Sequence, residues 1–277
     1  KEARAAYEKH KSGTMALQPF YENAMDDMSA AFFKNLTGEV PAFYKGVGSY
    51  PTLATTQNKL MFDNDSTTFY HNGRSQETGD WVGADLGAVR KVREVKILQG
   101  RNSVDDVDYF DNTILEASAD GKTWKALTGE LAKTYIIHWK GEPVDARYVR
   151  IRKLQSDKKS WIAVREFMVN PTTPESLPFT VSATNTEAAM FGFDKNPCTS
   201  FKSEGKLTFG VEAGKTSYTM LLDVKPNSGV KFNQYNKKGK LLSSTEIDNS
   251  FFTTTLTKGA VKAEIEGNVE VFEIIAK

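Results

Sequence analysis

Between Phe62 and His71 the chain reads Phe-Asp-Asn-Asp-Ser-Thr-Thr-Phe-Tyr-His, which gathers acids, hydroxyls and aromatics into one short run. Asp63, Asn64, Asp65, Thr67 and Thr68 offer hard oxygen donors of the kind that hold calcium, and the same residue types also build turns. On spacing alone a turn without an ion fits better, because the EF-hand pattern needs a Gly and a distal Glu that are not here. Other chemistries have less to work with. Cys198 sits in Asn-Pro-Cys-Thr with no His close in sequence, so it reads as a small packed residue rather than a nucleophile. No nucleophile motif, zinc signature or phosphate-cradling glycine loop occurs, and acid pairs such as Asp105 and Asp106 have no evident pocket. The expectation is a non-enzymatic chain.

The elements that must position these residues are bounded by composition. With 277 residues there is room for two domains and an appendage. Lys plus Arg number 36 against 35 for Asp plus Glu, so no global field recruits nucleic acid or an anionic membrane. A single cysteine excludes an intramolecular disulfide scaffold. No run of about 18 apolar residues exists, so membrane insertion is not expected, and the opening Lys-Glu-Ala-Arg lacks signal-peptide form. The chain reads as a fragment of something longer.

Residues 1–45 carry helical periodicity, with Leu17, Phe20, Tyr21, Ala24, Met25, Met28, Ala31 and Phe32 recurring at three and four positions. Gly13 and Pro19 divide them into two helices, a helical connector. Residues 46–170 change to short alternating segments at 81–86, 92–98, 113–118, 135–139, 148–152 and 162–169, the texture of an antiparallel β-sandwich or barrel. Asp120-Gly121 predicts a hairpin turn between the segment from Ile114 and that from Thr123. A Pro/Thr linker at 171–178 follows. Residues 179–277 again alternate, with Lys238-Gly239 as a turn, and predict a second, smaller β-sandwich.

That second part echoes the first. Phe193-Asp194-Lys195-Asn196-Pro197-Cys198-Thr199-Ser200-Phe201 parallels Phe62-Asp63-Asn64-Asp65-Ser66-Thr67-Thr68-Phe69-Tyr70, and Phe272-Glu273-Ile274 parallels Arg165-Glu166-Phe167. It reads as a shortened second copy.

Taken in order, Asp63-Asn64-Asp65 with Thr68, Trp81-Val-Gly-Ala-Asp85-Leu-Gly87, Ser118-Ala-Asp120-Gly121-Lys-Thr-Trp124, Ala146-Arg147-Tyr148-Val149-Arg150-Ile151 and Arg165-Glu166-Phe167 resemble the discoidin or coagulation factor V/VIII C-type (F5/8 type C) domain. The match is closest to family 32 carbohydrate-binding modules. A discoidin-like jelly roll is therefore expected, with Asp85 bridging to Arg147 or Arg150 and with Trp81 and Trp124 in the core.

The resemblance implies a structural calcium held by Asp63, Asp65, Thr68 and Glu166, with carbonyls near Lys59. In the second copy Asn196 replaces an acid, and no calcium is expected. The resemblance also implies a glycan as partner, bound at loop tips by His71, Arg74, Arg101, Asn102, Tyr109 or Phe110, and Trp161. Trp161 could be a stacking platform or the first core residue of its strand, and His71 a solvated loop residue. The loop Ser103–Asp111 holds four acids and reads as solvated. A helical segment before such a module resembles the C-terminal region of bacterial family 84 β-N-acetylglucosaminidases. The implied function is the non-catalytic part of a secreted, periplasmic or cell-surface glycoside hydrolase, weakly binding terminal galactose or N-acetylhexosamine-type sugars. Its missing N-terminal catalytic domain would be the other partner. The alternative is a structural or protein-interaction module that positions that domain without touching sugar.

Overall fold

The computed structural model describes residues 44–102, 108–155, 160–196 and 199–277. The helical connector expected over 1–45 lies outside these residues except for Tyr44 and Lys45, as do Cys198 and residues 103–107. The described residues divide into two compact units, one ending at Pro171 and one running from Thr172 to Lys277.

Among the described residues the first unit has seven strands: β1 (Lys45–Gly48), β2 (Tyr70–His71), β3 (Trp81–Gln99), β4 (Thr113–Ser118), β5 (Lys125–Ala126), β6 (Ile136–Lys153) and β7 (Ala163–Val169). They hydrogen-bond in the order β2-β7-β3-β6-β4-β5, with β1 also on β3, and all their pairings are antiparallel. The segments read separately at 81–86 and 92–98 are one strand, as are those at 135–139 and 148–152. Their pairing shifts register between Asp85 and Arg90 and between Val92 and Glu94. Irregularities of this kind bend a strand and strengthen its twist, so β3 and β6 can wrap one core along their whole length. That core includes Met61, Tyr70, Val82, Leu86, Ile97, Phe110, Ile151 and Phe167. The hairpin at Asp120-Gly121 forms, with Gly121 at φ 72. Asp120 Oδ1 accepts from the Thr123 and Lys122 amides at 2.8 Å each, and these bonds hold the exposed carboxyl at about 2.

Trp81 and Trp124 are not core residues. Both are half-buried, 5.8 Å apart. The Arg150 guanidinium lies 3.6 Å from the Trp124 ring centre and 5.2 Å from that of Trp81. A cation on the adjacent strand makes that outer face an aromatic cradle rather than an apolar interior. Asp85 pairs with Arg147, through Nε at 2.8 Å and Nη2 at 2.9 Å.

In the second unit a short turn with a reciprocal Thr173–Ser176 cap, Pro174–Ser176, occupies the expected linker. Nine strands follow among the described residues: β8 (Val181–Ser182), β9 (Phe201–Ser203), β10 (Lys206–Gly210), β11 (Ser217–Asp223), β12 (Lys231–Tyr235), β13 (Leu241–Glu246), β14 (Phe251–Thr255), β15 (Lys262–Glu266) and β16 (Val269–Ala276). A single helical turn, α1 (Thr186–Ala189), precedes β9. They form sheets of order β13-β12-β15-β10-β8 and β14-β11-β16-β9. Phe209, Tyr218, Phe232 and Phe252 from these sheets join one buried cluster, whose ring contacts run in sequence from Phe193 to Phe252.

Candidate functional site

The acid-rich stretch is a tight turn that opens directly into β2. The Asp65 amide donates to Asp63 Oδ1 at 3.0 Å and the Thr68 hydroxyl donates to Asp63 Oδ2 at 2.7 Å. Asp65 Oδ1 accepts from the Thr67 amide at 2.9 Å and hydroxyl at 2.6 Å, bonds that hold its exposed carboxyl below the ordinary range. Asn64 takes the left-handed conformation at φ 58 that lets the chain reverse, an arrangement Asn tolerates.

Glu166, on β7, is 1 % exposed, and neither of its carboxylate oxygens has a hydrogen-bond partner among the described residues. Burial, then the neighbouring Asp63 carboxylate, push it up to about 9; burial also raises Asp63. A buried carboxylate facing a second one needs either a proton or a cation. The donor set suits a hard cation: Asp63, Glu166, the Thr68 hydroxyl and loop carbonyls are all oxygens. Asp65 contributes less than expected, since its side chain caps Thr67. Among the described residues no cluster of three or more His, Cys, Asp or Glu side chains has metal-binding geometry.

Next to this turn a rim is assembled from three loops. β2 pairs with β7 through Tyr70 to Val164 and His71 to Ala163, which places His71 beside Trp161. Their ring centres are 4.5 Å apart, and Trp161 is 43 % exposed, the open surface that a stacking platform requires. Asp108 Oδ2 lies 3.3 Å from Arg101 Nε and 3.9 Å from His71 Nε2. His71, Arg101 and Trp161 therefore converge around Asp108, with Asn102 exposed in the residue after Arg101.

Asp108 belongs to the acidic loop that reads as solvated; its side chain is only 13 % exposed because Arg101 and His71 lie over it. Nothing in its spacing distinguishes it from the other acids there. Buried amides fix the loops. Gln76 Nε2 donates to the Tyr109 carbonyl at 2.9 Å and to the Trp161 carbonyl at 3.2 Å, and Asn72 Oδ1 accepts from the Ile162 amide at 3.1 Å. Their single-residue occurrence in a loop gives no sequence signal.

Two expected rim residues are elsewhere. Tyr109 is 5 % exposed and packs on Tyr135 at 4.6 Å; its neighbour Phe110 is fully buried. Both turn inward because their backbones are tied to Gln76 and Gln99, whose Oε1 accepts from the Phe110 amide at 2.9 Å. Arg74 is committed to Asp80, with Nη1 at 2.9 Å from Oδ2 and Nη2 at 2.8 Å from Oδ1, and lies 4.4 Å over the Tyr50 ring. Asp80 also accepts from the Tyr50 hydroxyl and the Glu77 amide. Burial alone would raise Asp80, yet Arg74 and these donors hold it below the usual carboxylate range. Replacing Arg74 with Ala is expected to cost about 1.5–3 kcal/mol, the worth of hydrogen bonds to a charge. Chemical denaturation should show that loss, with sugar affinity unchanged at a temperature where the variant is folded.

Comparison with known proteins bears on this unit. Residues 48–167 match the F5/8 type C domain. No curated protein matches the chain. Among solved structures, a family 32 carbohydrate-binding module from Clostridium perfringens in complex with GalNAc-β-1,3-galactose is 16 % identical with a TM-score of 0.37, over 46 % of this chain and 94 % of its own. The family 32 module of C. perfringens NanJ, in complex with galactose, is 16 % identical at a TM-score of 0.36, over 46 % and 92 %. The C-terminal domain of a Bacteroides fragilis chitobiase is 20 % identical at 0.37, over 47 % and 93 %. The first two of these structures are of carbohydrate-binding modules. Among the described residues no helix is long and apolar enough to cross a membrane.

Proposed function

We propose that the F5/8 type C unit binds a terminal galactose or N-acetylhexosamine-type sugar, weakly, at the rim formed by Trp161, His71, Arg101 and Asp108. In this reading it is an accessory part of a secreted bacterial glycoside hydrolase. The observation that carries it is the half-open Trp161 indole packed on His71 beside the Arg101–Asp108 pair. An indole face takes the apolar C–H side of a pyranose, while the ion pair and imidazole offer a donor and an acceptor to ring hydroxyls. Asn102 stands one residue from Arg101 as a further polar contact.

Calcium supports the same rim from behind. Asp63, Glu166 and the Thr68 hydroxyl would hold it, and the ion would supply charge neutralisation and a fixed loop, with no role in chemistry. Because β2 leaves that loop and pairs with β7, the strand of Glu166, fixing the loop fixes His71 against the Trp161 end of β7.

Calorimetric titration of galactose, N-acetylgalactosamine and N-acetylglucosamine tests the reading. At least one should bind, and Trp161→Ala should weaken it by tenfold or more, the equivalent of about 1.4 kcal/mol. Absence of binding by all three would remove the sugar function, and binding unaltered in Trp161→Ala and His71→Ala would remove this rim as its site.

A further inference from the structure

The second unit contains the same cradle, built from different neighbours. A helical turn ends at Gly192, and the Phe193 amide donates to the Met190 carbonyl at 3.0 Å, as Phe62 does to Lys59 at 2.9 Å. Phe193 has φ −136 and ψ 9, against −135 and 13 at Phe62. Lys195 is left-handed at φ 60 where Asn64 is at 58. A lysine has no side-chain reason to adopt that conformation, so the loop itself imposes it. The Asn196 amide donates to Asp194 Oδ1 at 2.8 Å and the Thr199 hydroxyl to Asp194 Oδ2 at 2.8 Å, repeating the bonds of Asp65 and Thr68 to Asp63. Even the Thr199 amide bond to the Asn196 carbonyl, 3.1 Å, has its counterpart in Thr68 and Asp65 at 3.0 Å.

Glu273 completes the copy from β16, in the place Glu166 has on β7. It is 1 % exposed, and neither carboxylate oxygen has a hydrogen-bond partner among the described residues. Burial, and after it the Asp194 charge, push its carboxyl well above the ordinary range, while Lys195 acts the other way. Burial takes Asp194 up to about 8. A buried carboxylate facing a second, partly buried one is costly unless something positive lies between them.

The substitution of Asn196 for Asp65 weighs little in this comparison. The Asp65 carboxylate is turned to Thr67, and what position 65 gives the cradle is its backbone, which Asn supplies equally well.

We propose that the second unit holds its own divalent cation, of the calcium class, between the Asp194 and Glu273 carboxylates, with the Thr199 hydroxyl and carbonyls of the 190–196 turn as further ligands. Calcium accepts about 6–8 oxygens with few directional demands, which this all-oxygen set fits better than a soft or strictly octahedral ion would. The site stands independently of sugar binding in the first unit.

Equilibrium dialysis of the full chain against millimolar calcium tests it by count. Two ions per chain are expected, falling to one in Glu273→Gln and, separately, to one in Glu166→Gln. Thr199→Val, which keeps shape and both carboxylates, should weaken only the second-unit ion. Melting in chelator guards against a misfolded variant: Glu273→Gln should then be at least as stable as the parent, because a neutral amide of the same shape replaces a buried acid. One ion per chain, lost in Glu166→Gln and retained in Glu273→Gln, would overturn the second site and leave the first intact. No ion at all would overturn both, and the sugar titration would remain a separate question.

Discussion

Replacing Glu116 with Ala is expected to destabilise the first unit by about 3–5 kcal/mol, the cost of leaving buried charge unpaired. Glu116 is 6 % exposed and accepts from Arg150 Nε at 2.7 Å, Arg152 Nη2 at 2.7 Å and Arg152 Nε at 3.0 Å. Arg150 is itself enclosed, between this carboxylate and the Trp81–Trp124 pair, so it cannot turn to water when the acid is lost. These contacts tie β4 to β6 across the sheet, which makes the loss global rather than local. Urea unfolding should report it as a lower midpoint with an unchanged slope.

The same site sets an acid limit. Burial alone would raise the Glu116 carboxyl, but its bonds to Arg152 and Arg150 outweigh burial and hold it below its ordinary value. Folding therefore favours the ionised form. Its contribution is complete above the unfolded carboxylate range, about 4.3, and is lost as pH falls through the lower, folded value. Stability measured on that descent should fall less steeply in Glu116→Ala than in the parent protein.

Calcium is expected to have the second large effect. Free calcium at about a hundred times its dissociation constant stabilises a one-site protein by about 2.7 kcal/mol. The melting transition of the first unit should rise by several degrees on adding calcium. Glu166→Gln should abolish that rise, and in chelator it should melt no lower than the parent, since a neutral amide of the same shape replaces a buried acid. A rise that survives in Glu166→Gln would place the ion elsewhere. The sugar titration should follow the metal, because β2 carries His71 away from the same loop and onto β7.

Much of the fold is legible because alternation and turn chemistry act locally. The Asp120-Gly121 and Lys238-Gly239 turns form where their residues demand, with Gly239 at φ 76, and the strands of the second unit lie close to their alternating segments. What alternation does not carry is continuity. β3 and β6 read as pairs of short strands because their register shifts interrupt the period while the backbone pairing goes on. The half-burial of Trp81 and Trp124 is invisible in the sequence for a related reason: an aromatic opposite an arginine makes a cation-lined face, and only the pairing of β3, β4 and β6 brings Arg150 there.

At the rim, type and position alone do not separate Arg74 from Arg101. One arginine meets a buried aspartate that also accepts from Ser49, Tyr50 and Glu77, and the other, itself more exposed, meets Asp108. Tyr109 is drawn inward by a buried glutamine whose partners lie far away in sequence. The two acidic turns are visible as a repeat in the sequence, but which of their donors face inward is not. That is why counting acids separates two loops that their backbones make alike.

The most direct measurement of the central proposal is the indole N–H spectrum of the four tryptophans, assigned by substitution, during titration with galactose or an N-acetylhexosamine. The account expects the Trp161 resonance to move and saturate while those of Trp81, Trp124 and Trp139 stay in place. A saturating shift at another tryptophan with Trp161 unmoved, or no shift at any under conditions where the protein is folded and calcium-loaded, would contradict it.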